Sequence, residues 1–322
     1  MISEPLLVSD PRGLWCPAGG FHVDPSGKVA LAIVTHAHSD HARPGAAAYL
    51  ATPGTAVMLR QRLGRVTVQE LPFGERLRIG AATVSLHPSG HLPGAAQVRI
   101  EVGGEVWVVS GDYKTENDGL AEPFEPVACH TFITESTFGL PVFRWAPQAR
   151  LAEAIRNWWA AAASEGAAVS IAAYALGKAQ RLLHLLAGTG PGPVLLHPGA
   201  AAATAALIGA GYRLPTAETW AGDRPLPPGA LLIAAPSAAL PAGTRSAMAS
   251  GWMALRGTRR QRGPGTGFAL SDHADWPGLS AAIRATGASR VLVTHGFEQP
   301  LAGWLRSQGL DAAPLAEGLA KP

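Results

Sequence analysis

Up to about residue 145, the apolar residues come in short extended runs separated by Gly and Pro turns. Leu31–Val34, Ala82–His87, Gln97–Val102, Val106–Ser110 and Thr131–Thr134 each read as a β-strand of four to six residues. Val106–Ser110 and Thr131–Thr134 lead into polar or acidic clusters, as strands that present chemistry often do. From about 146 to 262 the period changes. Arg150–Glu165, Gly177–Leu186 and Ala200–Ala210 read as helices, alternating with the strands Ala168–Ala173, Val194–His197 and Leu231–Ala234. This alternation predicts a parallel sheet flanked by helices. After Gly263 come two further units: Gly267–Ser271 leading to helix Gly278–Thr286, and Arg290–Thr294 leading to helix Leu301–Gln308. The pattern breaks the chain into segments 1–145, 146–262 and 263–322, and shows no internal repeat.

Composition narrows this only a little. At 322 residues, 47% apolar and 15% charged, the chain can bury a large core and is not of the disordered class. A net charge of +3 permits a polyanionic partner without requiring one. Cys16 and Cys129 form no CxxC and are expected to be buried small apolar residues, not ligands. The opening MISEPLLVSD has acidic residues and no basic ones, unlike a signal peptide. The apolar stretch 228–243 is broken by Pro and Gly and is too short to span a bilayer. The expectation is a soluble cytoplasmic protein with no membrane partner.

The chemistry is concentrated in histidines and carboxylates at strand ends. After Leu31–Val34 comes Thr35-His36-Ala37-His38-Ser39-Asp40-His41. His36 and His38, two apart at a strand end, can project to one side and share a cation. Asp40 and His41 lie on the turn beyond, within reach of a second ion about 3.5–4 Å away. Imidazole and carboxylate ligands without thiolate suit zinc in a catalytic site. His91, Asp112, Glu135, His273 and His295 each follow a later strand, and a carboxylate placed like Asp112 can bridge two ions. Asp275, before Trp276-Pro277, reads as a helix N-cap. His22, His130, His184 and His197 are taken as ordinary core or surface residues.

These residues give a resemblance to the metallo-β-lactamase superfamily, in its β-CASP nuclease branch. It rests on HxHxDH at 36–41, His91, Asp112, Glu135 in Glu135-Ser136-Thr137, His273 in Ser271-Asp272-His273-Ala274-Asp275, and His295 in Thr294-His295-Gly296. Gly111-Asp112-Tyr113-Lys114, the run 132–141 and Ser250-Gly251-Trp252-Met253 look closer still to the bacterial exonucleases associated with ATP-dependent DNA ligases. The resemblance implies an α/β fold, a metallo-β-lactamase αββα sandwich formed by 1–145 and 263–322, with 146–262 inserted as the α/β β-CASP domain. It implies that His36, His38 and His91 hold one zinc, that Asp40, His41 and His295 hold the other, and that Asp112 bridges them. Manganese is the alternative metal. His273 is then the candidate general acid, oriented by Glu135, and Asp24 a support for the histidine loop; the bland reading of Asp24 is a turn-initiating Asp-Pro.

The activity implied is hydrolysis of a phosphodiester by a metal-bridging hydroxide, with Asp40, Asp112, Glu135 and His273 as catalytic residues. The expected substrate is DNA, in a repair pathway whose partners would be an ATP-dependent DNA ligase and a helicase. A histidine at the last motif, as His295, is usual in RNA-processing members, so an RNase J-type RNA exo- or endonuclease is the alternative. A small-molecule thioester hydrolase and a non-catalytic binding module stand behind it. For the nucleic-acid backbone the sequence offers Lys114, Lys178 at a helix N-terminus, and the cluster Arg256, Arg259, Arg260 and Arg262. A solvated loop is the ordinary alternative for that cluster.

Overall fold

A computed structural model describes residues 5–222, 224–255 and 266–320. The chain forms two compact units, Met1–Phe143 with His273–Pro322, and Arg144–Asp272.

In the first unit, strands numbered along the chain form two sheets. The six-stranded sheet takes β1 (Val8–Asp10), β2 (Gly13–Cys16), β3 (Phe21–Val23), β4 (Leu31–Ile33), β5 (Ala48–Ala51) and β6 (Val68–Glu70) in that order. The first three are antiparallel neighbours, and pairing from β3 to β6 is parallel. The seven-stranded sheet contains β7 (Arg76–Ile79), β8 (Ala82–Pro88), β9 (Ala96–Val102), β10 (Glu105–Val109), β11 (Thr131–Ser136), β18 (Arg290–Gly296) and β19 (Asp311–Pro314). Its order is β19-β18-β11-β10-β9-β8-β7.

The two sheets pack face to face. Phe21, Ile33 and Leu50 of one meet Leu86, Val98, Ile100, Ile133 and Leu292 of the other in a single apolar cluster. The outer face of the six-stranded sheet, with Ala32, Val34 and Tyr49, packs on Leu59 of helix α1 (Pro53–Leu63). Phe132, Val291 and Val293, on the outer face of the other sheet, pack on Ile283, Leu301 and Leu305 of helices Trp276–Ala285 and Glu298–Ser307. This unit is therefore helix, sheet, sheet, helix, and β11, covered on both faces, is buried along its whole length. Because β10, β11 and β18 are parallel, their carboxyl ends bring Asp112, Glu135 and His295 to one edge.

In the second unit, β12 (Val169–Ala172), β13 (Val194–Leu196), β14 (Glu218–Thr219), β15 (Leu231–Ala234), β16 (Arg245–Ala249) and β17 (Thr266–Phe268) form a parallel sheet ordered β14-β13-β15-β12-β16-β17. Ile171, Leu231 and Ile233 pack on Ile155 and Trp159 of helix Gln148–Ser164 and on Leu182 and Leu183 of helix Lys178–Leu186.

The run expected as a strand over Gly267–Ser271 is shorter and starts earlier, at Thr266–Phe268. It pairs with β16, so the second unit continues to Asp272 and does not stop at 262. The physical reason lies in Ser271 and Asp272, which turn to partners inside that unit: the Ser271 carbonyl accepts from Arg181, and Asp272 pairs with Lys178 and Arg181. Sequence reading also missed α1 and the short strands β1 to β3, β5 to β7, β14, β16 and β19. Cys16 and Cys129 are free and buried, as expected. Among the described residues no helix is long and apolar enough to cross a membrane.

Candidate metal centre

Asp24, directly after β3, anchors the chain that leaves β4. Its carboxylate accepts the Thr35 backbone N–H at 2.8 Å, the Thr35 hydroxyl at 2.6 Å and the His41 Nδ1 at 2.8 Å. Asp24 thus fixes both ends of the HxHxDH turn. The support expected of it is present, and its backbone lies in the left-handed region at φ 45°.

His36, His38, His91 and Asp112 present ligand atoms that all lie within 4.8 Å of one another. His36 Nε2 is 3.5 Å from Asp112 Oδ2, and His91 Nε2 is 3.7 Å from the same oxygen. His91 Nε2 and His38 Nδ1 are 3.1 Å apart. His36 is fully buried, and its Nε2 has no hydrogen-bond partner. A buried polar atom without a partner is costly, and a cation among these four groups would remove that cost. Burial drives the His36 pKa well below its usual value, and the neighbouring imidazoles add to it, so the ring is neutral with a lone pair to offer.

The other carboxylate oxygen faces a second group. Asp112 Oδ1 is 3.5 Å from His41 Nε2, and that nitrogen is 3.9 Å from Asp40 Oδ2. The His41 and His295 rings lie 5.4 Å apart. This side is more open: the Asp40 side chain is 64% exposed. Burial disfavours the charged form of His41, but Asp112, then Asp24 and Asp40, outweigh it and raise its pKa to about 10. Burial likewise works against the Asp112 carboxylate, yet His41 and the other imidazoles hold its pKa far below the carboxylate range. The centre is built to neutralise positive charge beside Asp112. His295 stands at φ 55°, and the Ser136 hydroxyl donates to the carbonyls of Thr294 and His295. Gly296 follows at φ 77°, where a Cβ would lie 2.5 Å from the Ser136 carbonyl oxygen.

A carboxylate–imidazole pair adjoins this group. His273 Nδ1 lies 2.8 and 3.0 Å from the two oxygens of Glu135. The same oxygens accept the Tyr113 backbone N–H at 2.8 Å and the Thr137 hydroxyl at 2.5 Å. Tyr113, Ser136 and Thr137 were missed as supports. Their signal was their place inside the Gly111–Lys114 and Glu135–Thr137 motifs. Asp275 caps its helix by accepting the Gly278 N–H at 2.9 Å, as expected.

Both lysines proposed for the backbone of a nucleic acid are engaged by carboxylates of this chain. Lys114 is 1% exposed, and its ammonium is engaged by the Glu116 carbonyl at 2.5 Å and carboxylate at 3.4 Å, so it is not presented to a phosphate. Lys178 is buried and pairs with Asp272 at 3.2 Å, while the Gln180 side chain caps the start of its helix through the Gly177 N–H. An internal carboxylate holds the charge meant for an anion. Arg256, Arg259, Arg260 and Arg262 lie outside the described residues.

Fold and centre together define a mixed α/β protein with a His/Asp cluster able to bind metal. A solved structure of a protein of unknown function from Enterococcus faecalis shares the fold at TM-score 0.60 and 12% identity, over 83% of this chain and 76% of that one. No family model matches the sequence. A probable DNA ligase of Opitutus terrae is 32% identical over 97% of this chain, which spans 31% of that protein. Ribonuclease TTHA0252 of Thermus thermophilus is 29% identical over 52% of this chain and 44% of its own length. Endoribonuclease YSH1 of Gibberella zeae is 32% identical over 37% of this chain and 14% of its own. The chain belongs to the metallo-β-lactamase/β-CASP nuclease family.

Proposed function

We propose that this chain is a metal-dependent hydrolase, a two-zinc phosphodiesterase acting as a DNA exonuclease in repair, with manganese as the alternative metal. The observation that carries the reading is Asp112, whose two oxygens face two separate histidine groups while a Glu135–His273 pair, its carboxylate buried and its imidazole partly exposed, stands beside them. In this reading His36, His38 and His91 hold one ion, Asp40, His41 and His295 the other, and Asp112 contacts both. The second unit is then the β-CASP insertion.

Such ions, when bound, supply Lewis acidity toward a phosphodiester and lower the pKa of water. The chain's own groups do the rest. Asp24 fixes the tautomer and aim of His41. Glu135 occupies the Nδ1 of His273, so Nε2 is the atom that delivers a proton to the leaving oxygen. Tyr113 and Thr137 hold the Glu135 carboxylate in that orientation. The arginine cluster 256–262 is retained as the proposed contact to the polyanion.

The choice of DNA is supported by the name of the Opitutus relative, a probable DNA ligase that also favours a DNA ligase as partner; its ATP dependence and a helicase partner rest on the resemblance of the motifs alone. The Thermus and Gibberella relatives carry ribonuclease names, so an RNA exo- or endonuclease is the second reading. Digestion of end-labelled single- and double-stranded DNA and RNA with added zinc or manganese tests both. Release of nucleotides from DNA ends supports the first. Cleavage of ribose substrates alone replaces it with the second, and cleavage of neither sinks both.

A further inference from the structure

Helix α1 carries none of the proposed ligands, yet each of its ends is bonded to a loop that does. At its start, the hydroxyls of Thr52 and Thr55 donate to the Gly94 carbonyl at 2.5 and 2.8 Å. Gly94 lies three residues beyond His91, at φ +80°, and approaches so closely that a Cβ there would sit 2.6 Å from the Thr55 nitrogen. Glu122 accepts the Gly94 N–H at 2.9 Å, securing the loop from its other side.

At the far end, Arg62 donates through one guanidinium nitrogen to the carbonyls of Ala37, at 2.5 Å, and Ala42, at 3.4 Å. Those carbonyls bracket the stretch that presents His38, Asp40 and His41. Between its ends the helix is anchored by Leu59, which is fully buried against Val34, Tyr49 and Ala51. A helix of 11 residues is a rigid spacer of about 16 Å.

We propose that α1 is a brace that fixes the separation of the two loops bearing His36, His38 and His91, with Thr55 and Arg62 as the positioning residues at its ends. It rests on the metal-ligand reading above and not on the identity of the substrate. His38 and His91 are 53 positions apart in sequence and must both reach one ion at about 2.0–2.1 Å. A slip of either loop by 1 Å or so would release one of them. Removing groups that orient ligands typically costs 10- to 100-fold in metal affinity.

The test uses Arg62→Met, Thr55→Val and their combination, each loaded with zinc and then challenged with excess chelator. Zinc release should be roughly tenfold faster in each variant. The rise in melting midpoint that zinc gives the parent should shrink. Arg62→Lys, which keeps a donor for one carbonyl, should recover part of the loss. Unchanged release together with an unchanged zinc-dependent rise, even in a variant whose metal-free form melts lower, would make α1 an ordinary structural helix and overturn the proposal. If Arg62→Met does not fold, Arg62→Lys and Thr55→Val decide the matter on the same two readouts. A parent that retains no zinc overturns the ligand reading and the brace together. A parent that retains zinc but cleaves no nucleic acid overturns only the proposed activity.

Discussion

Asp24 holds the Nδ1 of His41 at 2.8 Å from a backbone at φ 45°. Among the described residues the other non-glycine at positive φ is His295, whose ring lies 5.4 Å from that of His41. Such backbone costs of order 1 kcal/mol or more and persists where surrounding contacts dictate it. Here those contacts surround the proposed second ion. Asp24→Asn keeps a side chain that tolerates the left-handed region but removes the charge that aims His41. Metal affinity should fall about 10- to 100-fold, most at the ion proposed for His41. Elemental analysis after dialysis against graded chelator would read it. Full retention of both ions would remove Asp24 from the centre.

His273 and Glu135 separate proton transfer from metal binding. His273→Ala should keep its metals and slow cleavage by roughly 10²–10⁴, the usual weight of a general acid. Asp112→Ala should lose both metals and activity. Loss of one ion from His273→Ala would give His273 a ligand role instead, consistent with its placement near Asp112 and Glu135.

Away from the centre, Asp10 links stability to pH. Burial works against its charge, but bonds from His22 and Arg12 outweigh this and lower its pKa to about 2. The folded value lies below the unfolded one, so the contribution is fully present above about pH 4 and is lost as pH falls toward 2. Arg12 is half exposed and screened by solvent, which limits the gain to about 1 kcal/mol. Asp10→Asn should therefore lower the urea-unfolding free energy by about that amount at pH 7 and converge with the parent near pH 2. A constant gap across that range would mean the carboxylate charge is not the cause.

The arginines at 256, 259, 260 and 262 put four cations within seven positions. Each phosphate they neutralise adds about 0.7–0.9 to the slope of log affinity against log salt. Neutralising two should flatten that slope by about one to two units, equally for all sequences. Metal content and hydrolysis of a small chromogenic phosphodiester should hardly change. An unaltered slope would leave the cluster as a solvated loop.

The sequence alone pointed to the histidines and carboxylates that the fold gathers in the candidate centre, and to the type of the longer elements around it. HxHxDH sits on six positions of local chain, and side-chain direction at a strand end follows from backbone geometry without help from distant residues. Alternating apolar runs likewise reveal a parallel sheet, because a helix and a strand bury their faces with different periods. Tertiary structure decided which charges are occupied and what holds the ligands. Lys114 and Lys178 look identical in sequence to free cations, and only folding placed Glu116 and Asp272 against them. Helix α1 escaped notice because Gly54, Thr55, Ala56, Met58 and Leu59 are buried together, leaving no clean apolar stripe. Its grip on Ala37 and Gly94 spans 25 and 39 positions. Contacts at that range are fixed by how layers pack, and no local period in the chain encodes them.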